Sequence, residues 1–228
     1  MNNLCIIPAR GGSKRIPRKN IKDFYGKPVI AFSIENALKS NLFNEVMVST
    51  DDYEIRDIAI KYNAKVPFMR TENCANDYAT TFDVIEEVLN NYAKNGIQFD
   101  NICCLYACTP LLSVDLIQKG YSVFIDNNFD TLFPVIEYSN PIQRAFKINK
   151  DRIEMFYPDY EIQRSQDLIK AYYDAGQFYW INSNKLFFNK KIYCQNSGFI
   201  SISEMQAQDI DNEIDWKLAE LKYKLLNY

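Results

Sequence analysis

The chain has 228 residues, 47% of them hydrophobic and 24% charged, with a formal net charge of -3. That balance belongs to a globular chain with a sizeable core and excludes a disordered, collagenous or coiled-coil one. It also excludes a protein that coats nucleic acid, which needs a basic face to displace counterions from phosphates. With 0 histidines, Ser-His-Asp and Cys-His catalysis are ruled out and the commonest metal ligand is missing, so any chemistry rests on carboxylates, lysine, arginine, hydroxyls and a borrowed cation.

From the N-terminus to about residue 136, short apolar runs alternate with longer amphipathic ones, the pattern of parallel strands joined by helical crossovers. In chain order the predicted elements are a strand at Leu4 to Ala9, a helix at Val29 to Ser40, a strand at Glu45 to Thr50 and a helix at Glu54 to Tyr62. A helix at Thr81 to Tyr92, a strand at Asn101 to Tyr106, a helix at Val114 to Asp126 and a strand at Thr131 to Ile136 follow. In Thr81 to Tyr92 the residues Val84, Ile85, Val88, Leu89 and Tyr92 fall at helical spacing and mark one buried face. After Pro141 the texture turns aromatic and β-prone (Ala145 to Ile148, Ile153 to Tyr157, Gln177 to Ile181), which predicts an antiparallel insertion over residues 141–203 of a single domain. In Gln177 to Ile181 the alternation predicts Phe178 and Trp180 as core residues. A last helix from Glu213 carries Ile214, Leu218, Leu221 and Leu225 along one stripe, expected to pack on the core.

No apolar run approaches the roughly 18 residues that span a bilayer, and Met1 to Ile7 is too short for the centre of a signal peptide, so the expected location is the cytoplasm. The 6 cysteines show no CxxC pairing, and Cys5, Cys103 and Cys104 lie inside strand-like runs; they are expected to be reduced core residues.

The stretch Ile6 to Asn20, IIPARGGSKRIPRKN, gathers Arg10, Lys14, Arg15, Arg18 and Lys19 in a loop leaving the first strand. In open α/β sheets, ligands bind beyond the carboxyl ends of the strands. Gly11 and Gly12 allow a tight turn whose amides point at an anion, and the cations supply full charges around it, which suits a di- or triphosphate. The stretch has neither the GxxxxGK[ST] spacing of a P-loop nor the GxGxxG of a dinucleotide fold. Asp209 and Asp211 sit at i and i+2, so in an extended segment both carboxylates face one side and suit Mg²⁺; Asp211 before a helix is equally an ordinary N-cap.

Ile7-Pro-Ala-Arg-Gly-Gly-Ser-Lys-Arg with Lys19-Asn20 resembles the N-terminal signature of the CMP-sialic acid synthetases, cytidylyltransferases that activate nine-carbon acidic sugars. The resemblance continues through Ser49-Thr50-Asp51-Asp52, then Arg70 with Asp77, Ala79 and Thr81, then Arg164 with Gln166-Asp167-Leu168, and Asp209-Ile210-Asp211 with Asp215-Trp216. It implies a three-layer, Rossmann-like, mostly parallel sheet with a small antiparallel dimerisation insertion, and transfer of CMP from CTP to an acid sugar with release of pyrophosphate. In that reading Arg10, Gly11, Gly12, Ser13, Lys14, Lys19, Asn20, Arg70, Ala79 and Thr81 bind the nucleotide, with Lys19 nearest the developing charge. Asp209 and Asp211 hold Mg²⁺, and Asp77 shapes its loop. Arg164 clamps the sugar carboxylate, and Tyr106, Gln166, Asp174, Gln177 and Tyr179 meet the rest of the sugar. Arg15 and Arg18 remain open between site and solvent, as do Thr80 and Thr81 between base recognition and helix capping.

Departures from the family pattern narrow the sugar. Leu105-Tyr-Ala-Cys-Thr-Pro-Leu-Leu112 places Tyr106 where the sialic acid enzymes have Gln, and Arg164-Ser-Gln-Asp-Leu with Asp174-Ala-Gly-Gln-Phe-Tyr-Trp180 differs again. These variants imply the branch acting on pseudaminic acid, a diaminated 6-deoxy relative of sialic acid that decorates flagellin and surface polysaccharide. The rivals are N-acetylneuraminic, legionaminic or ketodeoxyoctonic acid as the sugar, a non-catalytic nucleotide-binding protein, and a GT-A glycosyltransferase. The last would close a central strand with its DxD, whereas this pair precedes the final helix.

Overall fold

In the computed structural model, which describes residues 1–227, the elements run β1 (Asn3–Pro8), β2 (Asp23–Phe24), β3 (Lys27–Pro28), α1 (Val29–Lys39), β4 (Glu45–Ser49), α2 (Tyr53–Lys61), α3 (Glu72–Ala75), α4 (Thr81–Lys94), β5 (Asn101–Leu105), α5 (Val114–Asp126) and β6 (Thr131–Glu137). They continue through β7 (Phe146–Asn149), β8 (Arg152–Met155), β9 (Tyr172–Asp174), β10 (Phe178–Asn182), α6 (Ser183–Asn189), β11 (Ser197–Ile202) and α7 (Glu213–Asn227). The eight elements predicted before residue 137 all form, with ends displaced by at most a residue or two.

The main sheet has the order β11-β6-β10-β5-β1-β4, with β9 attached to β6. Strand β1 lies parallel to both β4 and β5, and β11 parallel to β6, while β10 runs antiparallel between β5 and β6. Strand alternation splits the core in two. Cys5, Ile7, Cys103 and Leu105 face α1, α2 and α5, whereas Leu4, Ile6, Ile102 and Cys104 face α4 and α6. The result is a three-layer α/β fold with a mixed, mostly parallel sheet. All six cysteines are free, and Cys5, Cys103 and Cys104 are fully buried.

Two sequence expectations need correction. Gln177 to Ile181 is not part of a peripheral insertion: β10 sits at the centre of the main sheet, with Phe178 and Trp180 fully buried as predicted. Trp180 stacks on Phe43 at 5.2 Å and donates its indole N–H to the Ile117 carbonyl at 3.3 Å. Only the span between β6 and β9 leaves the core, and it holds the two-stranded β7–β8 sheet.

The second concerns α7. Its Ile214, Leu218, Leu221 and Leu225 face solvent, at 77%, 41%, 60% and 73% exposure, and the buried face is Trp216, Ala219 and Lys222. Counting aliphatic residues misjudges the helix because aromatic packing orients it. Phe24 meets Trp216 and Tyr223 edge-on, at 5.5 and 5.4 Å between centroids, and these larger rings gain more from burial than the leucines.

Candidate active site

Beyond the carboxyl ends of β1, β4 and β5 lies a cleft of about 730 Å³. Its wall contains Arg10, Ser13, Lys14, Arg15, Lys19, Asn20, Arg70, Ala79, Thr81, Tyr106 and Asp211. Ten of these eleven are predicted site residues drawn from five separate segments. The eleventh, Arg15, was open between site and solvent, and the structure places it in the wall.

The basic loop is held from below. Ile16 is buried in an aromatic cluster with Phe24, Phe32, Ile210 and Trp216, which draws the segment before α7 against the loop. Lys19, opening a single 3₁₀ turn, therefore donates to the Ile210 carbonyl at 2.6 Å and stands 3.9 Å from the Asp211 carboxylate. Asn20, also buried, ties the Arg10 carbonyl at 3.0 Å.

Each cation of the loop has an acidic partner. Arg10 lies 2.7 Å from Asp77, whose other oxygen takes Lys14, and these two bonds hold the Asp77 carboxyl below its usual range. Arg15 pairs with Asp211 at 2.8 Å. Arg18 turns away from the cleft to Asp52 and to Glu54, the latter at 2.5 Å, so its role is structural. Arg10, Lys14, Arg15 and Lys19 thus converge on the cleft with only exposed or half-exposed carboxylates between them and an incoming anion.

The two glycines do different work. The Gly11 amide does not point into open space: it donates to Asp51 at 2.9 Å, and a Cβ there would stand 2.7 Å from Asp52 Oδ2. Asp52 cannot retreat, because it caps α2 through the Glu54 and Ile55 amides at 2.9 and 3.0 Å and accepts from Arg18. Gly12 has nothing within 4 Å of its would-be Cβ. Gly11→Ala should therefore destabilise the fold by about 1–3 kcal/mol through overpacking. Thermal unfolding checks this; an unchanged midpoint would show that the loop yields freely.

On the far wall the capping question resolves. Thr80 is the N-cap of α4, in a reciprocal capping box with Asp83, which leaves Thr81 to face the cleft with its hydroxyl 3.1 Å from Tyr106 Oη. Ala79 sits in a turn closed by Asn76, whose side-chain oxygen accepts from the Ala79 amide at 3.0 Å. Arg70 is buried and bonded to Ser49, through its hydroxyl at 3.0 Å and its carbonyl at 2.5 Å, and burial lowers its pKa. It fixes the end of β4 and presents charge to the cleft from behind.

Tyr106 packs on Tyr179 at 5.5 Å between ring centroids, and Tyr179 and Tyr193 both donate to Asp174 Oδ2, at 2.7 and 2.6 Å. Desolvation pushes the Tyr106 and Tyr179 hydroxyls up and the Tyr193 hydroxyl to about 12, so all three stay protonated near neutrality. Gln177 is buried, donating to the Gln206 carbonyl at 2.7 Å, with its own oxygen unpaired among the described residues. It does not line the cleft. Arg164 and Gln166 also stand apart, exposed on the span between β6 and β9, where Arg164 pairs with its neighbour Asp167 at 2.9 Å. Cys74, Asn76 and Val84 join the cleft wall unpredicted, as does Tyr193 the Asp174 cluster. Val84 could have been found by extending the Thr81 helix face one turn; nothing local in sequence marks the others.

Asn212, not Asp211, caps α7: its side-chain oxygen accepts from the Ile214 and Asp215 amides at 2.8 and 3.1 Å. The Asp211 carboxylate is thereby free of capping. Desolvation, and after it the Asp211 charge, pushes the Asp209 carboxyl up. Asp211 lies in the wall of the cationic cleft and Asp209 outside that lining, two residues earlier in the chain; such hard-oxygen donors fit Mg²⁺, which takes one or two carboxylates and completes its shell with water and phosphate.

The family model for cytidylyltransferases matches residues 4–223. The chain belongs to the cytidylyltransferase family. Among relatives of this cytidylyltransferase, the pseudaminic acid cytidylyltransferase of Campylobacter jejuni subsp. jejuni serotype O:2 is 46% identical over 226 residues, covering 99% of this chain and 97% of the relative. The CMP-N,N'-diacetyllegionaminic acid synthase of Legionella pneumophila subsp. pneumophila is 29% identical over 226 residues, covering 96% and 95%. Among solved structures, a CMP:2-keto-3-deoxy-manno-octonic acid synthetase complexed with CTP superposes with a TM-score of 0.72 at 17% identity, covering 99% of both chains. That likeness shows the cytidylyltransferase to share its fold.

Proposed function

We propose that this cytidylyltransferase joins CTP to pseudaminic acid, giving CMP-pseudaminic acid and pyrophosphate. The observation that carries the reading is the full-length similarity to a pseudaminic acid cytidylyltransferase, supported by a cleft whose floor is cationic and whose wall carries Tyr106. Arg10, Ser13, Lys14, Lys19 and Asn20 hold the triphosphate, with Arg15 added to the set the sequence suggested. Ala79 and Thr81 border the cytosine, and Arg70 supplies buried charge behind it.

The anomeric oxygen of the sugar attacks the α-phosphorus, the new O–P bond forms, the bond to the bridging oxygen breaks, and pyrophosphate leaves as the hydroxyl proton passes to solvent. Such a reaction is catalysed by positioning and by stabilising charge on the phosphate oxygens, which Lys19 and Arg10 do here. Asp209 and Asp211 would hold Mg²⁺, which neutralises phosphate charge when bound.

Tyr106, whose ring packs against the buried Tyr179, offers an apolar face suited to a 6-deoxy methyl group, with its hydroxyl for the sugar's amides. Arg164 and Gln166 reach the sugar only if their span closes on a cleft, and we place this contact in a homodimer, where Arg164 clamps the carboxylate through two parallel hydrogen bonds. The span exposes Phe146, Ile148, Ile153 and Ile162, apolar surface of the kind that subunit contacts cover. Among the described residues no helix is long and apolar enough to cross a membrane, in keeping with a cytoplasmic enzyme. Tyr106→Gln should shift preference from pseudaminic toward N-acetylneuraminic acid by about tenfold, the scale of one altered pocket contact. Competing-substrate kinetics check it, and an unshifted ratio would mean that the sugar is read elsewhere.

A further inference from the structure

Lys222 is a buried cation that the reaction does not use. It lies on the inner face of α7, 8% exposed, and burial lowers its pKa. Its amine donates to the Glu204 carbonyl at 2.8 Å, the Ala207 carbonyl at 2.9 Å and Gln208 Oε1 at 3.0 Å, filling all three of its donor positions. Gln208 then passes the contact on, since its amide nitrogen donates to the Asp209 carbonyl at 3.0 Å. Further along the same segment the Gln206 carbonyl is taken by Gln177 at 2.7 Å, the Ile210 carbonyl by Lys19 at 2.6 Å, and the Asp211 amide by Asp215 at 3.0 Å. These backbone groups of residues 204–211 are thus engaged elsewhere, and of the two carboxylates Asp211 lines the cleft while Asp209, two residues before it, is exposed outside that lining.

We infer that Lys222 is a positioning residue for the metal-binding aspartates, acting through Gln208 to set the backbone at Asp209. Lys222 makes no salt bridge among the described residues, with only the Glu204 charge acting on it from further off; such a buried ammonium is costly unless its three N–H groups are satisfied, so the chain segment that satisfies them is held to one conformation. The inference rests on the reading of Asp209 and Asp211 as the Mg²⁺ ligands. Groups that orient a ligand from behind typically change metal affinity by about 10–100-fold when removed.

The test is Mn²⁺ binding to the full chain without substrate, followed by electron paramagnetic resonance, together with the Mg²⁺ dependence of pyrophosphate release. Lys222→Met should weaken Mn²⁺ binding about tenfold or more and raise the Mg²⁺ concentration needed for half-maximal rate, with kcat recovering at saturating Mg²⁺. Lys222→Gln, which retains two donors, should restore part of the affinity. Gln208→Leu leaves Lys222 its two carbonyls and keeps the question decidable if the methionine variant does not fold; it should weaken Mn²⁺ binding in the same direction by less. Wild-type Mn²⁺ affinity in both Lys222→Met and Gln208→Leu, beside weakened binding in Asp211→Ala, would overturn the positioning role alone. Undiminished Mn²⁺ binding in Asp211→Ala would overturn the metal assignment and this inference with it.

Discussion

Asp211→Ala is expected to lower kcat by about 10²–10³-fold, the cost of losing one main source of transition-state charge stabilisation, while the protein unfolds near the wild-type temperature. The two halves of that expectation have separate grounds. Stability survives because Asn212 caps α7 and Asp211 does not, so the helix keeps its first-turn hydrogen bonds. The lost partner of Asp211, Arg15, has a side chain 69% exposed, and exposed ion pairs contribute little. Activity falls because the carboxylate beside Lys19 and Arg15, one of the two read as metal ligands, is gone. Pyrophosphate release against Mg²⁺ concentration checks the result. Near-normal turnover would remove Asp211 from the metal site and leave the pair a purely structural feature.

Lys19→Ala should reduce kcat/KM for CTP by about 10²–10³-fold, and Lys19→Arg should restore little of it. Lys19 has a side chain 25% exposed and holds the Ile210 carbonyl from the loop side, so its amine links the triphosphate floor to the aspartate segment. Removing it deletes a charge in a partly desolvated position and loosens that link. Arginine keeps the charge but carries a planar fork that does not fit a single carbonyl and a neighbouring phosphate as a compact ammonium does. Steady-state kinetics with varied CTP decide the point; a KM change with kcat intact would assign Lys19 to ground-state binding only.

Much of this site was legible in the sequence because its signals are local. The cations at 10, 14, 15 and 19 follow directly on a buried strand, and Asp209 and Asp211 are two residues apart. What the sequence hid depends on distance in the chain. Asp77 binds Arg10 across 67 positions and Asp211 binds Arg15 across 196, so the charge balance of the cleft exists only once the sheet has closed. The Gly11 amide, read as an anion donor, is taken by Asp51 from the next strand end. Strand β10 reads locally like its aromatic neighbours, and only pairing with β5 and β6 reveals it as central. The face of α7 was misjudged because spacing weighs leucines equally with Trp216, whose ring finds Phe24, and gives no hint that Lys222 turns inward.

Pyrophosphate release by the purified chain with CTP and Mg²⁺, offering pseudaminic, legionaminic and N-acetylneuraminic acids in parallel, tests the proposed reaction most directly. Release should require Mg²⁺ and show a clear preference for pseudaminic acid. Preference for another of the three would contradict the sugar reading carried by Tyr106, and no release with any of them would contradict the catalytic reading itself.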